Sequence, residues 1–152
     1  IEKTWEGRFR NYLNCQVVPK ELRQSEVSTK AFQRIEEEQK GHDILVVPAQ
    51  FNSRYWGISV HRAHELMGSY EDEFGLGAFA VGIMLLTHPE RFNVEGDLWI
   101  DCAGDELEDQ RVKCFSWVPC FRLRDGSVEF DMRPFGEADR LYGSASGFLL
   151  PS

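Results

Sequence analysis

The sequence predicts an α+β domain: a mainly antiparallel four-stranded sheet with helices packed on one face. Three observations carry this. Apolar residues recur at helical spacing in several segments of the first 90 or so residues. Strand-like runs gather in the second half. Asp125-Gly126 sits between two alternating runs and marks a tight hairpin. A length of 152 residues fits one domain, 1–152, with an N-terminal segment of weak pattern (1–27) and a flexible tail (143–152).

Trp5, Phe9, Tyr12 and Leu13 recur every three or four positions, which predicts a short amphipathic helix that Pro19 ends. Residues 29–40 read as a helix with Ala31, Phe32 and Ile35 on one stripe, a Glu36–Lys40 pair, and Gly41 just past its end. Residues 44–47 (Ile, Leu, Val, Val) form a β-branched run, apolar on both faces, which predicts a central strand. A loop over 49–57 leads to a helix over 58–67, whose inner face carries Val60, Ala63 and Met67. Ser69 to Asp72 matches a capping pattern ahead of a nearly all-apolar helix over 72–86. Its glycines at 75, 77 and 82 imply close approach of another backbone. Thr87 to Glu90 gives a second cap and a short turn through Phe92.

Residues 97–102 alternate, with Leu98, Ile100 and Cys102 on one side and Trp99 and Asp101 on the other. In the hairpin, a two-residue turn sets Leu123 opposite Val128, Phe121 opposite Phe130 and Arg122 opposite Glu129. Pro119 makes its strand an edge or a bulge there. Residues 143–147 read as flexible, with Phe148, Leu149 and Leu150 docking at the end.

The composition, 42% hydrophobic and 28% charged, is that of a globular chain. A net charge of −8 argues against direct nucleic-acid binding, which needs a basic face. The longest apolar run, 76–86, is broken by Gly77 and Gly82 and is too short to span a bilayer. The opening residues carry no apolar leader core, so a cytoplasmic location with reduced thiols is expected. Cys114 and Cys120 share a strand and stand about 20 Å apart, beyond disulfide reach.

Five groups are candidates for chemistry. His61 and His64 lie one turn apart and Glu65 follows, a spacing that can share a metal ion. The loop residues Gln50, Asn52, Arg54, Tyr55 and Trp56 leave a strand and enter a helix, where backbone amides and Arg54 suit an anionic ligand. Residues 95–109 hold seven acids and no base. Of this stretch, Trp99, Asp101, Asp105 and Glu106 form a candidate interaction face for a basic protein segment, and the carboxylates also suit a divalent cation or acid–base work. Cys15 or Cys102 would serve as nucleophile only beside a base, and burial is the stronger reading of Cys102. Trp99, Phe115, Trp117, Phe121 and Phe130 read chiefly as core.

The resulting expectation is a binding or protein-interaction module without catalytic motif or cofactor. Its partner would be a small molecule, a basic protein or a second copy docking through the hairpin sheet. Two alternatives stand beside it: a metal-assisted hydrolase using His61, His64 and an acid from 101–106, and an acidic mimic of nucleic acid.

Overall fold

The computed structural model describes residues 5, 7–13, 21–92 and 99–150. Its spine is the hairpin of β7 (Cys114–Arg124) and β8 (Ser127–Pro134). The register sets Leu123 on Val128, Arg122 on Glu129 and Phe121 on Phe130, as the turn chemistry requires. Asp125 (φ 50°) and Gly126 (φ 67°) both take the left-handed conformation of a type I′ turn. The Phe121 and Phe130 rings stack at 4.6 Å.

Around this hairpin the expectation of a four-stranded antiparallel sheet is overturned. Among the described residues there are three α-helices and ten strands, and seven of the strands form one mixed sheet. Beyond β8 lies β1 (Phe9–Asn11), and its pairing is parallel, so the predicted N-terminal helix is a strand over these residues. On the other side, β5 (Trp99–Asp101) pairs antiparallel with β7, and β9 (Tyr142–Ser144) runs parallel to β5. β6 (Asp105–Asp109) also joins β7, and β2 (Leu22–Gln24) joins β6. A second sheet sets β10 (Ser146–Phe148) between β3 (Ala49–Gln50) and β4 (Glu73–Gly75). Most of these strands span two or three residues, too few for alternation to reveal them.

The helices are α1 (Glu26–Glu38), α2 (Val60–Met67) and α3 (Ala78–Thr87). They do not share one face. Ile100, Phe121, Leu123 and Val128 pack with Ala31 and Ile35 of α1 and Val81 and Leu85 of α3. From the opposite face of β7, Val118 joins Val60, Ala63 and Met67 of α2. The inner stripe of α2 is as the sequence predicts. No helix among the described residues is long and apolar enough to cross a membrane.

Five further expectations are corrected. The run at 44–47 forms no strand and lies outside, with Ile44 77% and Val46 70% exposed. The helix predicted over 72–86 divides into β4 and α3. Ser69 does not cap it, because its hydroxyl donates to the Glu65 carbonyl. Pro119 lies inside β7, at the point where β5 has ended and the Cys102 N–H donates to its carbonyl, so its missing donor costs no pairing. The supposed tail at 143–147 is buried in β9 and β10. Gly143 there lies so close to the loop that a Cβ would stand 2.1 Å from the Asn52 carbonyl oxygen.

Candidate functional site

The start of α1, the end of α2, β4 and β6 enclose a cleft of about 310 Å³. Small-ligand sites begin near this size. Its floor is apolar: Met67 and Phe74 are 3% and 1% exposed. Gly75 lets β4 approach the turn that follows β5, since a Cβ there would lie 2.5 Å from the Ala103 carbonyl oxygen. The Ser28 hydroxyl donates to the Gly75 carbonyl, and Ser25 caps α1 by accepting from the Ser28 N–H. Strand, turn and helix are thereby locked around the opening.

Three polar side chains converge on this cleft. His64 lies 2.6 Å, through Nε2, from the Ala103 carbonyl oxygen. A carbonyl only accepts, so Nε2 carries the proton and Nδ1 is the acceptor of the neutral ring. Phe135 holds the imidazole edge-on at 5.1 Å. Burial lowers the His64 pKa, with the Ala103 carbonyl and the Glu106 charge opposing the shift. Arg23 Nε donates to Glu106 at 2.7 Å, and its guanidinium lies 3.6 Å from the Phe115 ring centre. Val27, 64% exposed, stands at the rim. A second cavity, about 420 Å³, lies over Leu107, Trp117 and Met132. Its Asp109 is held well below the usual carboxylate range by Arg111 and accepts from Trp117 Nε1. That arrangement leaves Asp109 little freedom to act on a ligand.

The fold distributes the predicted loop residues differently. Gln50 Nε2 donates at 2.9 Å to both the Ser144 carbonyl and the Ser146 hydroxyl. Asn52, 1% exposed, donates to the Trp99 carbonyl. Tyr55 is buried beside α2, while Trp56 donates through Nε1 to the Arg140 carbonyl and remains exposed. Arg54 Nε lies 3.1 Å from buried Glu73, whose other oxygen accepts from Ser146. The amides entering α2 are served by Ser59, which caps it. This loop fastens the second sheet to the rest of the chain.

The two predicted histidines both stand edge-on to the Phe135 ring, His61 at 6.3 Å, but differ in burial. His61 points outward, 66% exposed, with Nδ1 3.7 Å from Glu65. Among the described residues no group of three or more His, Cys, Asp or Glu side chains is arranged to hold a metal ion. The acidic stretch turns inward. Asp101 is fully buried, 3.0 Å from Arg133, and burial pushes its carboxyl up to about 7 against the pull of that guanidinium. Asp105, 9% exposed, accepts from the Ala78 N–H and caps α3, whose own N-cap is Gly77. Its pKa is raised by burial, opposed by that amide. Trp99 stands edge-on to Tyr142 at 4.9 Å and donates to the Leu123 carbonyl. Glu106 alone of the predicted face reaches the cleft.

Burial raises the Cys102 thiol well above its ordinary value, the reverse of what a nucleophile needs. Cys15 lies outside the described residues, as do Asp97 and Leu98. Cys114 and Cys120 are both free thiols. Sequence reasoning missed Arg23, Met67 and Phe74 as cleft residues. Ser25, just ahead of a run with helical spacing, is the one signal that would have marked the cleft edge. Compared with family models, curated proteins and solved structures, the chain has no match.

Proposed function

We propose that this chain is a non-catalytic binding module that takes a small amphipathic molecule into the cleft between α1, α2, β4 and β6. The observation that carries this reading is the anchoring of a neutral His64, Nδ1 as its acceptor, above an apolar floor of Met67 and Phe74. The ligand is an apolar body with a hydrogen-bond-donating head, such as an amine or amide. Lining charges favour that choice: Arg23 is offset by Glu106, and Glu26 adds a further negative charge. The hydrolase alternative has less support, because no third ligand joins His61 and His64 among the described residues and Glu106, the acid of that stretch that lines the cleft with His64, is already paired with Arg23. The mimic alternative is weakened by the inward turn of Asp101 and Asp105.

Native mass spectrometry of protein purified without chelators, followed by ligand-observed NMR against amphipathic amines and amides, tests the proposal. Binding should be lost in Val27→Trp, which blocks the rim, and weakened in His64→Gln. Binding that ignores both substitutions, or turnover of a bound compound, would overturn it.

A further inference from the structure

The run at 44–47 leads into β3, the terminal strand of the β3–β10–β4 sheet. Along one edge its backbone is satisfied. Gln50 pairs with Ser146 of β10, the Phe148 N–H donates to the Pro48 carbonyl, and the Gln39 side-chain amide takes both the N–H and the C=O of Val46 at 2.7 Å. These residues, 46, 48 and 50, alternate, so Leu45 and Val47 address the other edge. No backbone hydrogen bond to Leu45 or Val47 forms among the described residues. Ile44 (77%), Val46 (70%) and Leu45 (39%) are exposed, and Val47 packs against the core. Carried two residues past Phe148, the β10 register sets Leu150, 54% exposed, opposite Val46.

We infer that residues 44–47 pair antiparallel with the same residues of a second copy of this chain, joining two three-stranded sheets about a twofold axis. Three features select that occupant. An edge of unpaired amides and carbonyls accepts a strand, not a helix or a small molecule. The run is uncharged and apolar, so it is its own complement: Leu45 meets Val47, and the two copies of Val46 meet on the twofold axis. Each chain carries a net charge of −8, so two copies repel elsewhere and approach most easily through an uncharged strip. The hairpin is a poorer route to a dimer, because β8 is covered by β1 and β7 by β5 and β6. Pro48 ends the pairing, and a twofold axis closes the assembly at two copies.

Sedimentation velocity of the whole chain from low-micromolar to millimolar concentration tests this, with amide exchange at both extremes. The expected result is a monomer–dimer equilibrium in which the Leu45 and Val47 amides slow as concentration rises. Val46→Lys should raise the dissociation constant at least about tenfold, since an edge lysine blocks strand pairing. Phe79→Ser, which removes the most exposed aromatic side chain on α3 (84%), should leave it unchanged. A chain that stays monomeric throughout, or a dimer that Phe79→Ser breaks and Val46→Lys does not, would overturn the inference. Thermal melting of both variants checks that they fold.

Discussion

The acidic stretch in β5 and β6 and the apolar run at 44–47 occupy opposite places from those their side chains suggest. Asp101 is fully buried and Asp105 is 9% exposed, whereas Ile44 and Val46 stand 77% and 70% exposed. Partners account for the first half of this inversion. Asp101 faces Arg133, which is itself held against the Tyr142 ring at 4.0 Å and donates to the Glu137 carbonyl. Asp105 completes α3 where Gly77 offers no side chain. A buried carboxylate survives where charge or amide awaits it. The apolar run has no such reception. Of its four residues only Val47 packs against the core, where it meets Phe74 and Leu76 around Gly147. Burial therefore follows the availability of a partner, and polarity alone does not set it.

Removing the acid's partner gives the largest expected effect. Asp101→Ala strands the nearly buried Arg133 and should cost about 3–5 kcal/mol in urea unfolding above neutral pH. Arg133→Met, which removes the other charge, should be of similar size. If either change costs less than about 1 kcal/mol, the ion pair does not hold β5 to β8.

A pH series comes next. The Asp101 carboxyl is raised from an ordinary 3.8 to about 7, so between those values the folded chain binds more protons than the unfolded one. This group's contribution to stability therefore falls as pH rises through that window and is constant outside it. The fall should be on the order of 2–4 kcal/mol. Asp105 adds in the same direction. Asp101→Asn keeps an acceptor for Arg133 and should flatten most of the slope; an unchanged slope would place the titration elsewhere.

Asp105→Ala should cost about 1–2 kcal/mol, the usual loss of a helix cap. Exchange of the Ala78 amide reports it directly, and an amide that stays protected would show that the cap is dispensable. The smallest effect belongs to the apolar run. Ile44→Ser should change the monomer's stability by less than about 0.5 kcal/mol, measured at low concentration. A larger loss would mean that this side chain is sheltered within the monomer, and the contrast between the two regions would narrow.

Much of the local structure was legible. The turn chemistry at Asp125 and Gly126 set the register of β7 and β8 residue by residue, because a two-residue loop leaves one pairing open. Period 3.6 picked out Val60, Ala63 and Met67 as the inner stripe of α2. Of the cleft, His64 and Glu106 were named for other reasons, one as a metal ligand and one as part of a docking face. Their meeting depends on Gly75 admitting the turn at Ala103, a contact between segments far apart in the chain.

By itself, then, the sequence determined the hairpin and the inward stripe of α2. These depend on residues a few positions apart, where dihedral preference and periodicity act directly. Tertiary structure decided the parallel pairings of β1 with β8 and of β5 with β9, the burial of Asp101 and the exposure of residues 44–47. Each depends on a partner from distant chain: Arg133 for Asp101, Val128 beside Phe9, Gln39 clasping Val46. A pattern within one segment carries no information about which distant group will meet it, and the free energy of burying a charge or a strand edge is set by that meeting.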